Sequence, residues 1–170
     1  MTKRFALLLA GAAMATLVIA VAGAAATQSA ASVIRCEPGP PKLCKGTQAK
    51  DTIIGSRRSD NILALGNSDS VDGKWGADLV QGGKGEDLPG EGGGLEGGPG
   101  DDTVMGQRGD DTVQDQDSAD RDKLFGGRDD DLVDGADGDN LDTVNCGPGN
   151  DYFAADPGDK VKLNTCEKPF

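Results

Sequence analysis

An aspartate returns at a nearly constant interval of nine residues over most of this chain, and a large apolar residue usually follows two places later. The interval lengthens to fifteen once and to eleven twice, and it shortens to eight at the end. A period of this length is typical of a repeat architecture, and it constrains the fold more than any single motif. The aspartates are Asp51, Asp60, Asp69, Asp78, Asp87, Asp102, Asp111, Asp122, Asp131, Asp142, Asp151 and Asp159. The apolar residues are Ile53, Ile62, Val71, Val80, Val104, Val113, Leu124, Val133, Val144, Phe153 and Val161, and Pro89 interrupts this column.

The repeating unit has the form G-G-x-G-x-D-x-U-x, in which U is the apolar residue. Its first six residues are rich in glycine and acid, so they predict a turn. Its last three residues predict a very short strand that is stable only when it stacks on the same strand of other copies. Two units then complete a coil of about eighteen residues. The sequence therefore predicts an all-β fold, a right-handed parallel β-roll (a β-solenoid) with about two repeats per coil.

The units depart from the pattern at several places. Residues 88–96 break phase, with Gly93 where an acid would fall, and two-residue insertions occur at 115–116 and 135–136. Because consecutive turns lie on opposite edges of the roll, we expect two separate rows of aspartates. Asp102 and Asp111 should therefore not be ligands of the same ion. We expect Asp111 to stack on Asp131, and Asp102 to stack between Asp122 and the irregular stretch after Asp87.

The N-terminus has a basic start followed by an apolar run from Phe5 to about Ala26. It predicts a secretory signal peptide over residues 1–26, with an uncleaved membrane anchor as the alternative. Residues 27–45 are expected to form a linker or cap, residues 46–162 the roll, and residues 163–170 a tail. The predicted location is secreted and extracellular.

The charge of the chain indicates its class of ligand. The formal net charge is −12 and there is no histidine. This charge disfavours nucleic acid as a partner, and it disfavours anionic membranes once the signal is removed. It favours cations. Stacked carboxylates and glycine-turn carbonyls suit Ca²⁺, which takes six to eight oxygens in flexible geometry, better than Mg²⁺.

The unit GGxGxDxUx resembles the RTX (hemolysin-type) calcium-binding repeat, and the resemblance extends over residues 46–162. It implies a parallel β-roll that holds Ca²⁺ between successive turns. The aspartate ligands that it implies are Asp78, Asp87, Asp102, Asp111, Asp131 and Asp151, with Asp122 and Asp142 in poorer copies of the unit. The adjoining glycines whose carbonyls would contribute are Gly82, Gly83, Gly85, Gly97, Gly98, Gly100, Gly106, Gly109, Gly126, Gly127 and Gly149. For Asp51, Asp60 and Asp69, whose units lack the glycines, we expect a structural role without metal.

The function expected from these features is that of a secreted, monomeric calcium-binding protein that folds when its turns bind Ca²⁺. The alternative is an extracellular structural or adhesion module, with a cell-surface or polysaccharide partner, in which calcium only adds rigidity. We expect no enzymatic activity, because no catalytic constellation is recognisable. An EF-hand beginning at Asp115 is excluded by Asp120 and Gly126, which stand where that motif needs glycine and glutamate.

Four cysteines behind a signal peptide suggest two disulfides, and three pairings are open. The roll favours one of them. Cys146 and Cys166 lie twenty residues apart, close to one coil, and residues one coil apart stack at about 4.8 Å. We therefore predict that Cys146–Cys166 closes the last coil and that Cys36–Cys44 closes the N-terminal cap.

Overall fold

The computed structural model describes residues 31–37, 39, 43–89, 94–117, 119–163 and 165–170. The predicted signal peptide lies outside these residues. Within the described part, every regular element is a β-strand, and no helix could cross a membrane.

Strands alternate between two sheets along the chain. The strands of the first sheet are β1 (Ser32–Arg35), β3 (Asp51–Ile54), β5 (Ser70–Asp72), β7 (Leu95–Glu96), β9 (Thr112–Gln114), β11 (Leu132–Gly135), β13 (Tyr152–Ala155) and β15 (Lys168–Pro169). Those of the second sheet are β2 (Leu43–Lys45), β4 (Asn61–Gly66), β6 (Leu79–Lys84), β8 (Thr103–Arg108), β10 (Lys123–Arg128), β12 (Thr143–Asn145) and β14 (Lys160–Val161). Every pairing is parallel and joins a strand to the one two places later.

The strand register confirms a β-roll with two repeats per coil. Ile53 pairs with Val71 and Ile62 pairs with Val80, so the early coils have the predicted eighteen residues. Val113 pairs with Val133, a coil of twenty that contains the insertion at 115–116. Each aliphatic residue therefore lies directly above its counterpart in the coil before.

The core is a double column of these aliphatic side chains between the two sheets. The fully buried members are Ile53, Ile62, Val71, Val80, Leu95, Val104, Val113, Leu124, Val133 and Val144. Phe153 and Val161 are partly buried at the C-terminal end. Burying one aliphatic side chain completely contributes about 1.5–3 kcal/mol to the free energy of folding. This column is therefore the main apolar contribution to the stability of the fold.

The apolar column, which the sequence predicts to break at Pro89, is instead continued by Leu95. Val71 pairs with Leu95, twenty-four residues later, so Leu95 fills the core position that Pro89 cannot. The six additional residues lie between Asp87, whose carbonyl accepts the N–H of Thr112, and Gly94, whose carbonyl accepts the N–H of Val71. The apolar column is therefore continuous from Val71 to Leu95, and the phase break in the sequence corresponds to six additional residues in this coil.

The strands of the second sheet are longer than the three residues that the unit predicts. β4, β6, β8 and β10 each have six residues and continue into the glycine positions of the following unit. The register resumes beyond the first glycine, where Gly83 pairs with Gln107. The turns of the two edges therefore differ, because those that follow the second sheet keep strand pairing for longer.

Both disulfides predicted from the sequence are present. Cys146 and Cys166 have Cα atoms 5.1 Å apart, and Cys36 and Cys44 have Cα atoms 5.5 Å apart. The first joins one coil to the next, and the second joins the start of the two sheets. Both ends of the apolar column are thereby covered by a covalent link.

Candidate metal centre

The turns form two rows, one along each edge of the roll. We call the first edge the row of turns that lead from the first sheet to the second, and the second edge the row that leads back. The sixth-position acids of the first edge are Asp60, Asp78, Asp102, Asp122, Asp142 and Asp159. Those of the second edge are Asp51, Asp69, Asp87, Asp111, Asp131 and Asp151. Asp102 and Asp111 thus lie on opposite edges.

Each row is connected by hydrogen bonds that run from coil to coil. The backbone N–H of an aspartate donates to Oδ1 of the aspartate one coil later, at N···O distances of 2.5 to 3.1 Å. Asp111 donates to Asp131 at 2.9 Å, as its predicted stacking requires. Asp102 accepts from Asp78 at 2.5 Å, so its lower neighbour is Asp78 and not the stretch after Asp87. The six additional residues increase the sequence separation of Asp78 and Asp102 to 24, but the two aspartates still stack in successive coils.

The second carboxylate oxygen of these residues is buried without a partner. In the described part of the chain, Oδ2 accepts no hydrogen bond in Asp69, Asp78, Asp87, Asp102, Asp111, Asp115, Asp122, Asp131, Asp142 and Asp151. These ten side chains are at most three per cent exposed. A buried, unsatisfied carboxylate oxygen is costly, so the arrangement requires a proton or a cation.

Burial raises the pKa of these carboxyl groups, and backbone N–H donors lower it by less. The pKa of Asp102 and of Asp131 rises from the ordinary 3.8 to about 8. The pKa of Asp69, Asp78, Asp111 and Asp122 rises to about 7, and that of Asp87 and Asp142 to about 6. Desolvation is the largest cause in each, and neighbouring acids add to it in most. The metal-free roll therefore opposes the ionised form of its own ligands.

The first glycine of the unit makes room for that second oxygen. A Cβ added at Gly126 would lie 2.5 Å from Oδ2 of Asp131 and 2.5 Å from the carbonyl oxygen of Cys146 in the next coil. Gly73, Gly82, Gly97 and Gly106 are likewise filled by Oδ2 of the aspartate five residues later. Oxygens from two successive coils thus converge on each first-position glycine. A cation held beside this glycine would meet oxygens of both coils.

The second and fourth residues of the unit adopt left-handed backbone. Position two has a positive φ at Gly83, Gly98, Gly127 and Gly147, and also at Leu65, Lys74 and Gln107. Position four has a positive φ at Gly76, Gly85, Gly100 and Gly109, and also at Asn67 and Asp129. Gly109 shows a second restriction, because an added Cβ would overlap the carbonyl of Gly85 in the coil below. Gly149 has the same restriction against the carbonyl of Asp129.

The backbone at position two decides whether Oδ2 has a protein partner. In the first two units position two is not left-handed, and the N–H groups of Thr47 and Ser56 donate to Oδ2 of Asp51 and Asp60 at 2.6 Å. Hydrogen bonds from Ser32 and Thr47 hold the pKa of Asp51 below its ordinary value although burial opposes them. In the third unit Leu65 is left-handed and Oδ2 of Asp69 is without a partner. By this criterion Asp69 resembles the later units more than the first two.

Two acids of these rows do not appear among the sequence-derived candidates. Glu167 accepts the N–H of Asp151 at 3.0 Å and ends the second row. Asp115, in an insertion, brings its carboxylate within 4.8 Å of those of Asp102 and Asp122. Two further groups meet the same distance criterion on the first edge: Asp120 with Asp137 and Asp139, and Asp139 with Asp142 and Asp159. Only Asp115, at the start of an acidic run, carried a signal in the sequence.

The donor atoms available in these rows suit a hard cation. They are carboxylate and carbonyl oxygens, the chain has no histidine, and all four cysteines are in disulfides. Oxygen donors on adaptable turns are the ligands that Ca²⁺ takes, whereas Zn²⁺ and copper favour nitrogen and sulfur. The orphaned Oδ2 atoms and the space at the first glycine both fit a calcium ion.

The comparison with protein families gives the same result. The RTX calcium-binding nonapeptide repeat matches in four copies, over residues 45–80, 72–88, 96–121 and 116–141. Together these copies cover more than half of the chain. A search of curated proteins and one of solved structures found no match. On the match and the aspartate rows together, this chain belongs to the family of RTX calcium-binding nonapeptide repeat proteins, and its cofactor is Ca²⁺.

Proposed function

We propose that this protein is a secreted calcium-binding β-roll whose fold depends on the ions that its turns bind. The ligands would be Oδ2 of Asp78, Asp87, Asp102, Asp111, Asp122, Asp131, Asp142 and Asp151, with carbonyls of the first, second and fourth residues of the neighbouring turns. Asp69 is a further candidate on the geometry of its turn.

The observation that carries the proposal is the row of buried, unpartnered Oδ2 atoms on each edge. In the metal-free roll each such oxygen has lost its water without gaining a donor. A bound divalent cation would compensate two successive carboxylates at once and would add a link between coils. Because the unfolded chain offers no such preformed arrangement, the binding free energy becomes folding free energy.

This coupling suits an exported protein. Extracellular calcium modules have dissociation constants of about 10⁻⁴–10⁻³ M, so a chain of this kind would stay unfolded where calcium is scarce and fold outside the cell. The apolar segment at residues 5–26 and the two disulfides support export through an oxidising compartment. Mass spectrometry of the exported protein should give a chain that begins at Thr27.

A calcium titration of the metal-depleted protein tests the proposal. Far-ultraviolet circular dichroism should show a cooperative gain of β-structure, and the fluorescence of Trp75, which lies in a first-edge turn beside Arg57 at 5.2 Å, should change over the same range. Magnesium at equal concentration is the control, because its strict octahedral preference suits these turns less well. A metal-free protein that is fully folded at neutral pH and does not respond to calcium would refute the proposal.

A further inference from the structure

Asp115 occupies a glycine position of the first edge. Leu95 pairs with Val113 and Glu96 with Gln114, so the next residues in register are Gly97 and Asp115. The N–H of Asp115 donates to the carbonyl of Asp134 one coil later, at 3.0 Å, as the N–H of Gly73 donates to the carbonyl of Glu96. The first-position column of this edge therefore contains a carboxylate where the repeat has glycine.

The side chain of Asp115 turns toward the preceding coil. Its Oδ2 contacts Gly97 at the point where a Cβ would lie, and Oδ2 of Asp102 lies 2.6 Å from the same point. The carboxylates of Asp102, Asp115 and Asp122 offer oxygens within 4.8 Å of one another. Two of these acids are sixth-position residues of successive coils, and the third comes from the insertion.

All three carboxylates are buried and uncompensated. Each is one per cent exposed, and each has an Oδ2 without a hydrogen-bond partner. The ion pair found among the described residues, Lys74 with Asp72, does not involve them. Like charges at this separation repel strongly in a buried environment. The two other groups of three carboxylates on this edge are largely half-buried, so water screens their charges more. Three buried carboxylates that bring oxygens within 4.8 Å of one another, and that each have an unpartnered Oδ2, indicate a ligand with a high positive charge.

We propose that Asp102, Asp115 and Asp122 form a single calcium site with a third carboxylate from outside the repeat, and that this site binds Ca²⁺ more tightly than the two-carboxylate sites. Affinity of calcium sites rises with the number of charged ligands, which is the physical basis of the ranking. The site would be the first to fill and would fix the first edge at the junction of its glycine-rich and acid-rich turns. This inference rests on the proposed calcium binding of the roll.

The test compares Asp115→Asn with Asp110→Asn in the full protein with both disulfides formed. Asp110 is exposed and lies on the second edge, so its substitution removes one charge without touching the site. Asp115→Gly is a second variant, which restores the glycine of the repeat. Bound calcium is counted by native mass spectrometry across a series of buffered free-calcium concentrations, and circular dichroism at saturating calcium checks the fold.

The wild type and Asp110→Asn should retain one ion at free calcium concentrations at which both Asp115 variants retain none. The affinity of the tightest site should fall about tenfold or more. If both Asp115 variants retain that ion as Asp110→Asn does, the inference is wrong while calcium binding by the roll stands. If the wild type binds no calcium even at millimolar concentration, the proposed function itself fails.

Discussion

Removing calcium should make the stability of the roll fall as pH rises, which is the reverse of the usual effect of paired carboxylates. Nine carboxyl groups have a pKa of about 6 to 9 in the metal-free fold, against an ordinary 3.8. A raised folded-state pKa means that the fold holds a proton that the unfolded chain has released. Each such group therefore stabilises the fold below about pH 4, and this contribution is lost as pH rises through the folded-state value.

The size of the effect follows from the number of groups. Near pH 5.5 all nine groups are mostly protonated in the fold and mostly ionised in the unfolded chain, so about eight protons differ between the states. Each proton contributes about 1.4 kcal/mol per pH unit, which gives about 11 kcal/mol per unit. If interactions between neighbours leave only a third of this, the slope is still about 4 kcal/mol per unit. Against a total stability of about 5–15 kcal/mol, the metal-free fold should be lost before neutral pH.

The assay is urea denaturation of the metal-depleted protein between pH 4.5 and 8, followed by circular dichroism and Trp75 fluorescence. The midpoint should fall steadily with pH, and the protein should be unfolded without urea at the upper end. Millimolar calcium should restore a cooperative transition at pH 7.5, because the ion replaces the protons at Oδ2. A metal-depleted protein that is as stable at pH 8 as at pH 5 would show that these oxygens are not held without compensation.

Three further predictions follow from single contacts. Gly106→Ala places a Cβ against Oδ2 of Asp111 and the carbonyl of Gly126. We therefore expect the free energy of unfolding of the calcium-loaded protein, measured by urea denaturation, to fall by about 1–3 kcal/mol. Gly39→Ala is the control and should change it little, because an added Cβ there meets nothing within 4 Å. Gln107 has a φ of 87° at position two, and its side chain donates a hydrogen bond to Gln81. Gln107→Gly and Gln107→Ala both lose that hydrogen bond, but only alanine keeps the backbone strain, so the glycine variant should be more stable than the alanine variant by about 1 kcal/mol in thermal denaturation. Equal melting temperatures of the two variants would contradict the strain. Replacing Cys146 and Cys166 together by serine should lower the free energy of unfolding by about 3 kcal/mol. Replacing Cys36 and Cys44, which close a shorter loop, should lower it somewhat less, and calorimetry of the two double variants compares the two losses.

The periodic features of the fold could be predicted from the sequence because each depends on one residue type at one position. The aspartate register predicts both rows, and the aliphatic register predicts the core. The place where prediction fails is the stretch around Pro89, because a proline at the apolar position hides an insertion that only strand pairing resolves. Leu95 is in the correct phase from Gly93, but a glycine-rich stretch of sequence separates it from Asp87, the preceding aspartate of the repeat.

Asp115 could not be assigned from the sequence for a related reason. In the linear pattern it is an additional residue that lengthens a turn. Its place in the glycine column depends on the register of β7 with β9, and its nearness to Asp102 depends on the absence of a Cβ at Gly97 one coil away. Neither repeat unit, taken alone, contains a sequence signal for such a contact between coils. Glu167 is similar, since it ends the aspartate row from a tail that has no repeat.

Each defined position of the repeating unit has its own structural role. The first glycine leaves space for an aspartate oxygen, and the left-handed second residue turns its N–H away from that oxygen. The aspartate links its coil to the one before through Oδ1, and the aliphatic residue fills the core. The first two units keep the link and the core but satisfy Oδ2 with the N–H of Thr47 or Ser56. The same coil is thus completed by a backbone donor in the first two units and needs a cation from the unit of Asp69 to that of Asp151, so the calcium dependence of the fold should begin near residue 64.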